Sequence, residues 1–388
     1  RIWIKFYWGG EVMKKVITMV GTSLFENYLK NESHKSQNFK NAYNFFKDNK
    51  IRADGLDREK DRRKAIEKSF TENYFKNNPN ASAEIKSLVK LREELKEDFE
   101  VYLLYSDTAL SRLAAEILKT AIYDKPQEDS ERVKIEKIEG LQIWDRREFN
   151  KGMVNLINTI YNIAQEYWNN IIINITGGYK ATIPYLAILA QVNRCPIYYI
   201  FEDTDALIKI PYIPIDINWE LFEKYWQYFD KMAHPNFLSK AELPHNALNE
   251  CYDLLEETKL NNITYVSLNP IGEILWKKYK GKFFIFYAPE EVYNEIQQQN
   301  NIRRILTEKF WKKDVRQNKT KNKNGHYVYD DGDNPYRIFY FEENNEIYIY
   351  KTFKNHDEYE RYLKMTIDDN FKEKIKQQSR IYKTEVQR

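Results

Sequence analysis

The chain has 388 residues, room for two or three folded modules, and its 42% hydrophobic and 31% charged residues, with 30 Tyr and 21 Phe, exclude intrinsic disorder. A net charge of +3 is too small for wholesale nucleic-acid binding, and Cys195 and Cys251 stand too far apart for a disulfide framework or a zinc site. No apolar run reaches the roughly 18 residues that a membrane helix needs, so the composition predicts a soluble protein of a reducing cytoplasm, with no resident metal and no membrane partner.

Residues 1–12 lack the basic, apolar and cleavage regions of a signal peptide. Codons for Gly9 to Val12 are purine-rich enough to hold a ribosome-binding site, so residues 1–12 read as a misannotated extension and Met13 as the native start. The β-branched run 14–20 predicts a strand that ends at Gly21-Thr-Ser-Leu24 and turns into a helix. A charged helical stretch follows over 27–97, whose middle, 51–68, is expected to be a peripheral helical pair. Strands are expected at 99–105, 133–138, 171–175 and 196–201, with a helix over 108–122. Strands alternating with helices predict an α/β, doubly wound, Rossmann-like parallel sheet over residues 13–214. After Pro211 and Pro214 the chain becomes aromatic-rich, and a helical pair, a strand at 262–268 and a capped helix from Pro270 predict a winged-helix-like connector over 215–281. From Phe283 a strand, a helical hairpin (289 to about 313) and strands at 336–341 and 346–350, joined by the turn 342–345, predict a small α+β domain over 282–366. Residues 367–388 are expected to form a charged helix or tail.

In an open α/β sheet, ligands bind beyond the carboxyl ends of the strands, where helix N-termini offer free N–H groups to phosphate. Two such ends are marked, Gly21 to Leu24 and Thr176-Gly-Gly-Tyr-Lys180. Gly177 and Gly178 admit a close anion, Thr176 and Ser23 offer hydroxyls, Lys180 adds a positive charge, and Asp107 is expected to line the same crevice. Neither turn is a Walker A loop or a dinucleotide fingerprint. The pairing and order of the two turns resemble the CARF domain, the cyclic oligoadenylate sensor of type III CRISPR defence, over residues 13–214. The resemblance implies a homodimer with a two-fold pocket. It implies ligand contacts from Thr22, Ser23, Leu24, Thr176, Gly177, Gly178 and Lys180, and cyclic oligoadenylate as activator, with the tetra-adenylate preferred to the hexa-adenylate.

An effector is then expected downstream. The Arg-to-His spacing of a HEPN ribonuclease is absent around all five histidines, and Glu346-Ile-Tyr348 lacks the Lys of a PD-(D/E)xK nuclease. The acidic run Asp330, Asp331, Asp333 reads as a turn. Tyr336-Arg-Ile-Phe-Tyr340 and the segment Asn355 to Tyr359 resemble the RelE-type mRNA interferase fold over 282–366, which implies Arg337 at the scissile phosphate, His356 as acid or base, and Tyr359 nearby. The paired lysines of some relatives are replaced by His326-Tyr-Val-Tyr329, which leaves the general base open among His326, Lys351, Lys354 and the lysines at 319–323. Metal-free RNA cleavage needs removal of the 2′-OH proton, charge stabilisation at the phosphate and protonation of the 5′-oxygen, and His and Arg suit those tasks. Between Arg303 and Lys323, nine Lys/Arg stand against Glu308 and Asp314, an excess of seven positive charges suited to ribosomal RNA phosphates. The expected activity is cyclic oligoadenylate-activated cleavage of mRNA on the translating ribosome. A DNA-binding transcription regulator and a ring nuclease that degrades its own signal are the rival readings.

Overall fold

The β-branched run Lys14–Val20 forms β1 in the computed structural model, which describes residues 13–31, 37–78, 80–122, 132–142, 144–201, 206–214, 216–332, 335–344, 346–364 and 367–387. The expectations for residues 1–12 and Asp333 therefore lie outside the described residues. The chain divides into two compact units, one ending at Trp276 and the other starting at Lys277. Among the described residues no helix is long and apolar enough to cross a membrane.

In the first unit, β1 is followed by β2 (Phe99–Ser106), β3 (Val133–Ile138), β4 (Ile171–Asn174), β5 (Ile197–Ile200) and β6 (Leu207–Ile210), ordered β3-β2-β1-β4-β5-β6. The sheet is parallel from β3 to β5, as predicted, and β6 adds an antiparallel edge that the sequence reading lacks. Both faces are buried. Val16 and Val20 of β1 enter one core and Ile17 and Met19 the other, so the strand is apolar without a polar face. The first core is built largely by the insertion between β1 and β2, whose helices Ser23–Asn31, Gln37–Asp48, Lys60–Glu67, Glu72–Asn77 and Ala83–Leu95 gather Phe25, Tyr28, Phe39, Tyr43, Phe70 and Tyr74 into edge-on and tilted ring contacts. The second core is lined by the helix Arg146–Ala164 and the helix Ile183–Asn193.

Between Trp219 and Trp276 the expected helix, strand and capped helix are joined by a second long strand. The strands β7 (Leu238–Ser239), β8 (Leu255–Leu260) and β9 (Ile263–Leu268) form an antiparallel sheet ordered β7-β9-β8, and the β8–β9 turn places Asn261 and Asn262 at φ of 49° and 64°, the pair a tight hairpin requires. Asn269 caps the helix Pro270–Lys280 through its side chain to the Gly272 amide (3.0 Å).

The second unit holds β10 (Phe283–Pro289), β11 (Thr320–Lys323), β12 (His326–Tyr329), β13 (Arg337–Glu343), β14 (Glu346–Phe353) and β15 (Ser379–Glu385), ordered β11-β12-β13-β14-β10-β15. Only the β10–β14 pair is parallel. The predicted strands and hairpin helices are present, and the charged helix expected after residue 366 is the helix Asp369–Gln378; it leads into an unpredicted strand, β15, which pairs along all of β10.

Candidate functional site

The sheet order of the first unit reverses between β1 and β4: the chain leaves β1 for β2 and β3 on one side, whereas β4 leads to β5 and β6 on the other. Loops on either side of such a reversal diverge and open a crevice at the strand ends. The turns after β1 and β4 meet there. A side chain at Gly21 would come within 3.0 Å of the Gly178 amide nitrogen, and one at Gly178, whose φ is +85°, would lie 2.3 Å from Met19 Cβ. These glycines allow two backbones to pass at contact distance.

Below the turns lies a buried polar relay. Asn174 donates to Thr18 Oγ1 (3.1 Å) and Ser87 Oγ (2.6 Å), and its carbonyl oxygen accepts from the Thr176 hydroxyl (2.7 Å) and amide (3.2 Å). The Thr176 hydroxyl also accepts from the Ile200 amide (3.1 Å), so it serves the scaffold and its side chain has little left for a ligand. Leu24 is fully buried, so it offers no surface to a ligand in the crevice. Thr22, Gly177 and Gly178 are half-buried, and no protein acceptor among the described residues takes their amides. Ser23 opens the helix Ser23–Asn31 with a buried hydroxyl that has no hydrogen-bond partner, and Lys180 is exposed with no ion pair among the described residues. Unpaired amides, an orphan hydroxyl and an exposed ammonium are the groups to which phosphate oxygens bond.

Asp107 departs from its expectation. Its buried carboxylate accepts from Arg52 Nε (3.0 Å) and the Gly140 amide (3.2 Å) and lies 3.4 Å from Lys137 Nζ, so it braces the β2–β3 end of the sheet instead of lining the crevice. Burial works to raise its pKa, but the bond from Arg52 and the neighbouring cations hold it below the usual carboxylate value. Arg52 lies 55 residues before it, so no local pattern announced the pair.

Glu84 is the residue that the sequence reading missed. It is fully buried in the helix Ala83–Leu95, and its Oε1 accepts from the Gly21 amide (2.8 Å). A side chain at Gly177 would fall 2.3 Å from that same oxygen, so the carboxyl touches both turns. Its Oε2 has no hydrogen-bond partner. Burial pushes its pKa upward, and the Gly21 amide pulls it down by less.

In the second unit, cations and aromatic rings gather where β11, β12 and β13 lie side by side. Arg337 opens β13; its guanidinium donates to the Tyr336 carbonyl (2.8 Å), pairs with Asp330 (3.1 Å) and lies 5.7 Å from the centre of the Tyr359 ring. Lys323 donates to the Tyr359 hydroxyl (3.3 Å), and Lys321 stands 3.5 Å from Asp330. Arg337, Tyr359, Lys321 and Lys323 therefore share one neighbourhood, with Asp330 as the anion common to Arg337 and Lys321. Asp330 also accepts from the Gly332 amide (3.0 Å), the turn expected there. Among the described residues no group of three His, Cys, Asp or Glu is arranged around a metal position.

The other candidates lie elsewhere. His326 is 1% exposed, between the rings of Phe339 and Tyr362, with Nδ1 2.8 Å from the Tyr350 hydroxyl, a core arrangement and not a solvent-facing acid or base. Lys351 pairs with Glu295 (3.7 Å), and Lys354 is exposed after β14. His356 begins the helix His356–Tyr362, and its side chain lies outside the described residues. The excess of positive charge divides in two: Arg316 is buried on Glu342 and Lys309 bonds Asp331, whereas Lys312, Lys313, Lys319 and Lys321 are exposed.

Residues 79–213 match a family described as CRISPR-associated protein (Cas_APE2256), a stretch that contains Glu84, β2 to β6 and the β4 turn. A search of curated proteins found no match. Among solved structures, Can2 from Sulfobacillus thermosulfidooxidans in complex with cyclic tetra-adenylate is similar at 14% identity over 66% of this chain and 71% of that one, with a TM-score of 0.21. At that TM-score the likeness carries no argument about this chain.

Proposed function

We propose that the chain is a ligand-gated ribonuclease of CRISPR defence, whose first unit is a CARF-type sensor of cyclic oligoadenylate and whose second unit is a RelE-type mRNA interferase. The observation that carries the sensor is the crevice at the sheet reversal, where two glycine turns present unpaired amides, the orphan Ser23 hydroxyl and Lys180. A ring of phosphates bridged by nucleosides matches a cradle built from backbone amides spread over two turns. The family match over 79–213 agrees with this reading. Cyclic tetra-adenylate is the activator we favour. A two-fold ligand calls for a homodimer, and the helix Ile183–Asn193, apolar around its circumference with Pro184 and Ile188 exposed, supplies a surface for it.

The second unit then supplies the chemistry. Arg337, with a rigid fork of donors, stabilises the phosphorane; Lys321 and Lys323 hold the flanking phosphates; Tyr359, buried in the core, positions Arg337 over its ring and Lys323 on its hydroxyl; His356 moves a proton to or from the ribose or the leaving oxygen. RNA is the substrate because the attacking group is its own 2′-OH. The exposed lysines at 312, 313, 319 and 321 give the unit a basic face for mRNA on the ribosome. Ligand gates the enzyme by binding its active arrangement more tightly than the resting one.

The test is to add cyclic tetra-adenylate to a translating extract containing wild type, Lys180→Ala or Arg337→Ala, and to map mRNA ends. Ligand-dependent cleavage by wild type alone supports the reading. Intact mRNA with wild type refutes the ribonuclease, and ligand loss with intact mRNA reassigns the chain to ring nucleases.

A further inference from the structure

A carboxyl wholly withdrawn from water, with one oxygen on an amide and the other on nothing, is an unusual object in a protein core, because an ionised oxygen left unpaired there is strongly disfavoured. Glu84 is such a group. The elements packed against it bring no countercharge. The β1 turn offers the Gly21 amide, the β4 turn offers the bare face of Gly177, and its own helix offers Ser82 and Ser87, both uncharged. The nearest charged residue along its own helix is Lys86, and the β4 turn carries Lys180; Glu84 forms no ion pair with either among the described residues.

We propose that Glu84 is the positioning residue of the anion crevice, a protonated carboxyl that joins the β1 turn to the β4 turn, so that anion binding requires its proton and tightens as pH falls. The inference rests on the sensor reading given above. A carboxylate directly behind the phosphate cradle would repel the ligand, whereas the neutral acid keeps its bond to Gly21 and adds no charge. Burial already drives the group toward its neutral form, and an arriving phosphate drives it further. Binding is therefore coupled to proton uptake.

The sign follows from linkage. Because the folded pKa lies above the unfolded one, the folded chain holds the extra proton in the window between them; stability falls as pH rises through that window and levels off above it. Ligand affinity has its own window, between the pKa of the free folded chain and the higher pKa of the ligand-bound chain, across which it falls by at most about tenfold per pH unit as pH rises.

The experiment titrates full-length wild type, Glu84→Gln and Glu84→Ala with cyclic tetra-adenylate from mildly acid to mildly alkaline pH, by calorimetry in buffers of different ionisation enthalpy. Wild type is expected to take up protons on binding and to weaken as pH rises. Glu84→Gln, which mimics the neutral acid, is expected to bind as wild type does at the acid end and to lose the pH dependence, while Glu84→Ala, which abandons Gly21, weakens at least about tenfold at every pH. Equal pH slopes in wild type and Glu84→Gln, or unchanged binding by Glu84→Ala, overturn the proposal. If wild type binds no cyclic tetra-adenylate at any pH, the sensor reading fails instead. Urea unfolding then decides on Glu84: a pH dependence of the midpoint that Glu84→Gln leaves unaltered removes the buried proton.

Discussion

The two candidate sites satisfy their polar groups in opposite ways. At the crevice of the first unit the backbone does the work, and it is left wanting: the amides of Thr22, Gly177 and Gly178, the hydroxyl of Ser23 and one oxygen of Glu84 have no partner. At the cluster of the second unit side chains do the work, and they are already engaged, Arg337 with Asp330 and Lys323 with Tyr359. Unmet polar groups in a preformed cradle lower the cost of adding a ligand, because no internal bond must break. A paired cation must first exchange its partner for phosphate. On the proposed function, one region receives ligand and the other is released, which is the order that a gated enzyme needs.

The largest expected effect breaks the second half of this comparison. Arg337→Ala removes the one guanidinium of the cluster and is expected to lower ligand-dependent RNA cleavage by about 100- to 1,000-fold, the range found when a transition-state donor is lost. Binding of cyclic tetra-adenylate should be unchanged, measured on the same preparation. A variant that cleaves at the wild-type rate removes Arg337 from the chemistry. Next comes the first half. Gly178→Ala places a Cβ 2.3 Å from Met19 Cβ on a backbone at φ +85°, and should cost roughly 1–3 kcal/mol of stability together with ligand binding. Gly152→Ala is the control: its Cβ would meet Leu141 Cα at 2.3 Å, so it destabilises the same unit while leaving the crevice glycines in place. If both variants, compared at equal folded fraction, bind alike, the turn is only a turn.

How much of this was legible follows the same division. The strands β1 and β4 are rich in β-branched residues and β2 in aromatic and aliphatic ones, and the glycine turns after β1 and β4 are local signals, so the sheet and the crevice could be read from the chain. Glu84 could not: a glutamate within the charged stretch 27–97 looks like a solvated helix face, and only the return of the chain at Gly177 buries it. Asp107 misled for the same reason, since its partner Arg52 is contributed by the helical insertion. In the second unit β11 reads Thr-Lys-Asn-Lys and β15 reads Ser-Arg-Ile-Tyr-Lys-Thr-Glu, polar edge strands whose charge keeps other sheets away and hides their own periodicity. The turn between β11 and β12 did carry a signal, Asn324-Gly325, with both residues at positive φ.

A smaller effect sharpens the line between core and site in the second unit. Burial pushes the Tyr350 phenol well above its usual range, so it stays protonated and shares a hydrogen bond with His326 Nδ1. His326→Phe preserves the ring packing with Phe339 and Tyr362 but leaves that phenol without its hydrogen-bond partner, which should cost about 1–3 kcal/mol in urea unfolding. Cleavage per folded molecule should be unchanged. A selective loss of cleavage with normal stability would restore His326 as the base.

The smallest effect tests release itself. Asp330→Asn keeps an oxygen for the Gly332 amide, so the turn before β13 should hold, but it removes the anion shared by Arg337 and Lys321. Arg337 and Asp330 are each 13% exposed, so water screens their attraction only in part. Loss of the pair should then favour the released guanidinium by about 0.5–1 kcal/mol, seen as a two- to fivefold rise in mRNA cleavage without ligand. Cleavage at saturating ligand should rise less, because there the pair is already exchanged for phosphate. If Asp330→Asn instead lowers cleavage with and without ligand, Asp330 orients Arg337 for catalysis, and the contrast between a receiving region and a restrained one gives way to two preorganised sites.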